Sequence, residues 1–325
     1  MKKSVVIGII ISAVFLYLAV RKIEFTQVVR AFQEADYWWT IPMIAANIFT
    51  MYLRAVRWRF LMAGTKLINI QSLFSSVMVG FMANNILPAR LGEVVRAYSI
   101  AKKESISKSG AFATIMVERV FDSFAILLML AICLVLMPFP PIITKLGYIT
   151  FALNLGMFIF LIALNRYPQP IMKVLSKAVG LFPEKIKNFI LRILDRFISG
   201  LTVFNDSKQF VFMILFTALI WVITAVAGYS IFLAFDLHPP FIIVFVLLVI
   251  VAFAIMLPSS PGFIGTYQYG CVLALSLFDI SRETAFPFSV VLWSCQYFPI
   301  TSLGLYYLRK EAISFKDITH ESGTN

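Results

Sequence analysis

Three groups of ionisable side chains in this sequence are set among apolar residues at spacings that could do chemistry. Glu118 and Asp122 are four residues apart, and Arg119 precedes Asp122 by three. On a helix that spacing puts both carboxylates on one face with an arginine beside them. Two readings stand: an ion pair anchoring the end of a helix, or a carboxylate pair facing a cavity and balanced by arginines from elsewhere. Arg90, Glu93 and Arg96 follow Asn84 and Asn85 at three-residue steps, along one side of a short helix. Guanidinium groups bind phosphate bidentately, so Arg90 and Arg96 suit headgroup contacts; the plainer role is a topological anchor held by Glu93. Arg54, Arg57 and Arg59 surround Trp58, which reads either as an interfacial belt or as Arg54 and Arg57 turned inward to acidic partners. A fourth group, Ser259, Ser260, Gly262, Gly265, Thr266, Tyr267 and Gln268, offers exposed backbone and neutral polar groups. These could coordinate a headgroup without a permanent charge, and a purely structural hinge would use the same residues.

Other chemistries lack their parts. Cys133, Cys271 and Cys295 each lie in an apolar run without CxxC spacing, and the two histidines, His238 and His320, form no HExxH pattern. Disulfides and a metal site are therefore not expected. No Gly-x-x-x-x-Gly-Lys-Ser/Thr run occurs, and no cofactor is expected.

The elements that must position these residues follow from composition. Of the 325 residues 60% are apolar and 14% charged, with a mean hydropathy of +0.89. A soluble domain carries ~45–50% apolar and ~25% charged residues, so the chain reads as an all-α, polytopic membrane protein in a single integral domain, 1–325. Full spans are predicted near 4–20, 40–61, 111–136, 143–164, 210–235 and 286–308. The first ends in Val20-Arg21-Lys22 with no small-residue cleavage pattern and reads as an uncleaved anchor. The net charge of +12 is explained by basic loops between spans, so no nucleic-acid partner is expected.

Two further apolar stretches are interrupted. Residues 70–97 break at Asn84-Asn85-Ile86-Leu87-Pro88-Ala89-Arg90-Leu91-Gly92-Glu93, and 241–278 break at Met256-Leu257-Pro258-Ser259-Ser260-Pro261-Gly262-Phe263-Ile264-Gly265. Proline removes a donor and clashes with the preceding turn, so each stretch is predicted to form a broken or re-entrant helical hairpin. The freed backbone groups must be buried in protein or line a wet cavity. If both hairpins return to their starting sides, twenty-two Lys and Arg residues fall inside against five outside. That asymmetry puts both termini in the cytoplasm of a cell-membrane protein. The hairpins then enter from opposite sides, with Pro88 and Pro258 170 residues apart, the pattern of an inverted repeat around a transport site. The cytoplasmic segment 166–209 carries Ile186, Phe189, Ile190, Ile193, Leu194 and Phe197 at helical spacing beside Lys185, Lys187, Arg192 and Arg196. It is predicted as a basic amphipathic helix, lying in the interface or packed on the spans. Residues 311–325 read as a polar cytoplasmic tail.

Arg54-Ala55-Val56-Arg57-Trp58, the Asn85–Arg96 block, Glu118-Arg119-Val120-Phe121-Asp122 and Pro261-Gly262-Phe263-Ile264-Gly265 together resemble the lysylphosphatidylglycerol synthase transmembrane region, or flippase-like family, over roughly 5–310. At Phe263, where relatives often carry a second glycine, and at Gln268, where they often carry an acidic residue, the sequence departs from the family pattern. The resemblance implies movement of a lipid or lipid-linked headgroup between leaflets. The sequence reads as this region without a fused synthase, so aminoacyl transfer is not expected.

The expected function is thus a non-enzymatic lipid translocase. Its expected contacts are Arg57, Asn85, Arg90, Glu93, Arg96, Glu118, Arg119, Asp122, Ser260, Gly262, Gly265 and Gln268. The arginines would hold phosphate, and the acids would balance them or meet a cationic headgroup. Two alternatives remain at this level. One is a membrane-embedded transferase acting on lipid headgroups or lipid-linked sugars, with Glu118 or Asp122 as base. The other is a non-transporting partner of a separate lipid synthase. Expected partners are a membrane phospholipid or lipid-linked substrate, with a separate lipid-modifying enzyme and a second copy of the chain as further candidates.

Overall fold

A computed structural model describes residues 2–21, 23–64, 66–87, 91–137, 141–180, 183–198, 201 and 207–311. Arg90 and the tail beyond residue 311 lie outside the described residues. The described chain is helical, in the order α1 (Lys2–Val20), α2 (Phe25–Glu34), α3 (Thr40–Met62), α4 (Ile70–Ile86), α5 (Gly92–Glu104), α6 (Lys108–Leu136), α7 (Pro141–Arg166), α8 (Pro168–Val179), α9 (Glu184–Ile198), α10 (Ser207–Ala234), α11 (Ile242–Met256), α12 (Thr266–Ser276) and α13 (Arg282–Lys310). Short 3₁₀ turns precede α3 and sit between α11 and α12.

Six long helices, α1, α3, α6, α7, α10 and α13, occupy the six segments expected to span. Of these, α6, α7, α10 and α13 are each long and apolar enough to cross a membrane alone. Helix α1 reaches that standard together with α2, which bends from it by 86°. Helix α3 has the length, 23 residues, but is interrupted by Asn47, Arg54 and Arg57. The short amphipathic α2, which buries Val28, has no counterpart in the sequence reading.

Both interrupted stretches form helical hairpins, α4–α5 and α11–α12, whose two arms pack on each other. Their arms have 17 and 13 residues, and 15 and 11. At 1.5 Å per residue none exceeds ~25 Å, short of a ~30 Å hydrocarbon core. The first turn is stabilised from within, because the Asn84 side-chain oxygen accepts the Gly92 N–H at 2.8 Å. The second uses glycine where the backbone requires it: Gly262 and Gly265 have φ of +74° and +89°, a region open to glycine. Phe263 between them also has a positive φ, +59°. Helix α1 closes over this turn, with Ser260 N–H donating to Ser12 Oγ at 2.7 Å and the two hydroxyls 2.9 Å apart.

Helix α13 is the post on which both hairpins rest. Asn85 Nδ2 donates to Thr301 Oγ1 at 2.9 Å, and Trp293 Nε1 donates to the Gly262 carbonyl at 2.7 Å. The two turns thus meet the same helix two helical turns apart. Pro299 lies inside α13 and cannot donate to the carbonyl of Cys295 four residues earlier. Asn47 Nδ2 of α3 supplies that missing donor at 3.3 Å.

Helix ends gather on two faces. On one, Lys66 Nζ bonds Glu104 Oε2 at 2.9 Å and Lys103 pairs with Glu311, joining the ends of α3, α5 and α13. On the other, Asp36 N–H donates to the Ala234 carbonyl at 2.8 Å, and Arg282 reaches the Leu18 carbonyl. The segment 166–209 contains two described helices rather than one. Helix α9 packs against α6 while Ile186, Phe189 and Ile193 stay exposed.

Helices α4 and α13 pack tightly at Gly304, where an added Cβ would lie 2.7 Å from the Met78 carbonyl oxygen. Gly304→Val is expected to cost ~1–3 kcal/mol by overpacking. Gly156 of α7 faces open space, so Gly156→Ala should be neutral or stabilise by up to ~1 kcal/mol. Thermal unfolding in detergent micelles, comparing both variants with the native chain, checks this contrast.

Candidate functional site

Six charged residues of the sequence motifs, Arg54, Arg57, Arg96, Glu118, Arg119 and Asp122, converge at one point between α3, α5, α6 and α10. Arg54 and Arg57 share a face of α3, and Glu118 and Asp122 share the facing side of α6. Arg57, with no exposed surface, is spent entirely on internal partners. Its Nη1 donates to Asp122 Oδ1 and Thr217 Oγ1, both at 2.8 Å, and its Nη2 to Asp122 Oδ2 at 3.2 Å. Its Nε reaches Glu118 Oε1 at 3.4 Å. Arg54 Nη1 donates to Asp122 Oδ2 at 2.8 Å, and Arg119 Nη2 stands 3.6 Å from the same oxygen. From α5, Arg96 Nη1 lies 2.6 Å from Glu118 Oε2.

Aromatic rings complete the arrangement. The Arg96 guanidinium lies 3.7 Å from the centre of the Trp58 ring, a close cation–π stack, and Trp58 is fixed by its Nε1 donating to Thr114 Oγ1 at 2.8 Å. Phe81 of α4 takes two cations, with Arg54 and Arg119 at 5.5 and 5.7 Å from its centre. Burial of ions is costly unless they are paired and hydrogen-bonded, and here the pairing is incomplete. Four guanidinium groups meet two carboxylates, an excess of two positive charges among the described residues. Arg54 Nε, Arg96 Nε and Nη2, and Arg119 Nε have no hydrogen-bond partner there.

Arg54 and Phe81 also line a cavity of about 270 Å³ between α3, α4, α10, α11, α12 and α13. Its walls are mainly apolar, with Asn47, Thr50, Thr224 and Gln296 as the polar exceptions besides Arg54 and Tyr267. A small cavity with apolar walls and a few convergent polar groups is the usual form of a ligand site.

Of the expected contacts, Arg57, Arg96, Glu118, Arg119 and Asp122 form the cluster. Asp122 lies fourteen residues into α6, because that helix starts at Lys108; the acids do not mark its opening turn. Glu93 turns away from Arg96 and accepts from Asn84 Nδ2 at 3.3 Å, within the hairpin turn. Asn85 is engaged on α13. In the second turn Ser260 bonds Ser12, the Gly262 carbonyl accepts from Trp293, and Gln268 Oε1 accepts the Gly265 N–H at 2.7 Å. Of the two readings of the Arg54–Arg57–Trp58 group, the inward one holds, since all three are buried and only Arg59 of that run is exposed. Phe81 and Thr217 were not foreseen. A phenylalanine or threonine in an apolar helix carries no signal until its neighbours are known.

A family model of the lysylphosphatidylglycerol synthase TM region matches residues 5–304. The chain belongs to this family. Every charged residue of the cluster falls inside the segment matched to the lysylphosphatidylglycerol synthase TM region. The chain is similar to a UPF0104 membrane protein of Methanothermobacter thermautotrophicus, 23% identical over 93% of this chain and 92% of that protein. It is likewise similar to one of Methanocaldococcus jannaschii, 24% identical over 85% of this chain and 86% of the relative. A shorter likeness, 27% over 38% of this chain, links it to a fifth (20%) of the glycosyltransferase AglD of Haloferax volcanii.

Because Asp122 serves three guanidinium groups, Asp122→Asn should be the costliest single neutralisation in this member of the lysylphosphatidylglycerol synthase TM region family. A loss of ~3–5 kcal/mol is expected for a broken buried pair. Adding Arg54→Met removes an uncompensated cation and should recover part of that loss. Denaturant unfolding of the single and double variants in micelles measures the difference.

Proposed function

We propose that the protein moves a phospholipid or lipid-linked headgroup between the leaflets of the cell membrane and leaves the lipid chemically unchanged. One observation carries this reading: a buried cluster with unused guanidinium N–H groups borders a mainly apolar cavity. A headgroup crossing a membrane needs polar partners at a depth where lipid supplies none, while its acyl chains need apolar surroundings. The cluster and the cavity answer these two needs side by side. Buried charge is expensive and marks substrate pathways in membrane proteins.

The two hairpins are the elements that would move. They enter from opposite faces and rest on one helix, so rocking either away from α13 would open the centre toward one side, in the manner of repeat-built transporters. The basic face, with Lys66, Lys103 and Lys310, is assigned to the cytoplasm on the excess of lysine and arginine. Family membership supports a role in lipid metabolism at the membrane.

The partial likeness to a glycosyltransferase favours a second reading, in which the chain serves a lipid-linked sugar, either as part of a transferase or beside one. Chemical identity of the lipid separates the two readings, because a transferase alters its substrate.

In proteoliposomes with fluorescent phospholipids and an impermeant quencher, the native protein should expose inner-leaflet lipid to the quencher. Asp122→Asn and Arg90→Ala should lower the exchange rate by tenfold or more in correctly folded protein, and Glu93→Gln should lower it less. Rates equal to those of empty vesicles across anionic, zwitterionic and cationic lipids would remove the translocase reading. Recovery of a chemically altered lipid would favour the transferase.

A further inference from the structure

The cluster is not symmetric in charge, and its asymmetry names the class of headgroup. Glu118 is met by Arg57 and Arg96, and the charge of Arg96 is also faced by the Trp58 ring. Arg57 has acceptors for every polar group it presents to the cluster. The surplus therefore gathers at Asp122, where a single carboxylate serves Arg54, Arg57 and Arg119. Arg54 and Arg119 are left as neighbours: they share Asp122 Oδ2, they flank the Phe81 ring, and each keeps a buried Nε–H without an acceptor. Arg54 and Phe81 line the cavity. Arg119 is the more open of the pair, with 33% of its side chain exposed against 10% for Arg54.

We propose that Arg54, which lines the cavity, and Arg119, which lies beside it at the Phe81 ring without lining the cavity, form an anion seat at the cavity's edge, and that the headgroup it takes is a phosphate carrying net negative charge rather than a cationic or aminoacylated one. This inference rests on the translocase reading for its physiological meaning, but its chemistry stands separately. A cation placed here would meet two surplus positive charges in a water-poor setting, where Coulomb repulsion is only weakly screened. A phosphate would accept from the guanidinium N–H groups of this pair and neutralise the surplus. The 270 Å³ volume suits a headgroup and the first carbons of its chains, not a whole lipid. The apolar walls provided by Met43, Trp221, Val244 and Leu247 fit those carbons. Arg54 is thereby the specificity residue, while Arg57 holds the carboxylates in place.

The test uses the full chain purified in a neutral maltoside detergent, titrated with dioctanoyl phosphatidic acid, a dioctanoyl trimethylammonium lipid, or inorganic phosphate, with thermal stabilisation as the readout. Phosphatidic acid should stabilise saturably at a concentration at least tenfold below that of the cationic lipid. Arg54→Gln and Arg119→Gln should each raise its half-saturating concentration by tenfold or more, and exposed Arg59→Gln should leave it unchanged. Arg119→Gln, at the cluster's open edge, keeps the test alive if Arg54→Gln does not fold. Equal stabilisation by inorganic phosphate alone would keep the anion seat and make a soluble phosphate its source. Stabilisation by the cationic lipid at equal or lower concentration would overturn the assignment, as would an Arg59→Gln effect as large as that of Arg54→Gln. Anion binding with this pattern but without leaflet exchange would remove the translocase reading and keep the seat; exchange without anion preference would do the reverse.

Discussion

Asp122 is the residue around which this structure is arranged. A carboxylate buried in a membrane protein is tolerable only when cations and hydrogen-bond donors surround it. Meeting that requirement fixes the relative placement of three helices. Arg54 and Arg57 tie α3 to α6, and Thr217 brings in α10 through Arg57. Through Glu118 the network extends to Arg96 and so to the first hairpin. Apolar packing alone sets no such register in lipid, because lipid chains are as apolar as the helix faces. The charged cluster supplies the directionality that the apolar surfaces lack.

The first hairpin is held differently from the long helices. Along α5, the inward positions Arg96, Ser99 and Lys103 all make polar contacts: to Glu118, to Ser76, and to Ser75, Ser76 and Glu311. The same helix also buries Val95, Ala97, Ile100 and Ala101, so polar bonds and apolar packing act on it together. The second hairpin is held by the backbone of its turn, through Ser12 and Trp293. Both hairpins also share apolar clusters with α13, Val79 and Met82 of α4 with Leu308, and Val272 and Leu275 of α12 with Phe288 and Leu292, so the polar bonds add direction to close-packed contacts.

Much of this was legible in the sequence, and what was not has a physical cause. The long helices follow from apolar runs, and the two hairpins from Leu-Pro with nearby glycine, because proline and glycine act locally. The Glu118–Asp122 face follows from helical spacing, a local rule as well. The choice between an interfacial belt and an inward network at Arg54, Arg57 and Trp58 was undecidable locally. It depends on which helix α3 packs against, and that contact is 61 to 68 residues away along the chain. The same distance effect hides Phe81 and Thr217, whose roles exist only beside arginines from other helices. Glu93 illustrates the converse: its spacing from Arg96 suggested a shared task, but the turn's own need for Asn84 draws it elsewhere.

On the proposed translocase reading, the site must bind its cargo and also release it, and the internal acids bear on the second requirement. Four arginines without carboxylates would form a deep electrostatic trap from which a phosphate would leave slowly. Asp122 and Glu118 cancel half of that charge and hold the guanidinium groups in position when no ligand is present. When an anion arrives, Arg54 and Arg119 can share their N–H groups between it and Asp122 Oδ2, and when it departs the same oxygen is there to take them back. The cost of emptying the site is lowered because the empty state is already partly paired. Favourable entry with easy exit is the general condition for passage through a membrane protein. On that reading, the carboxylates beside the arginines serve release from a cluster whose surplus charge is positive.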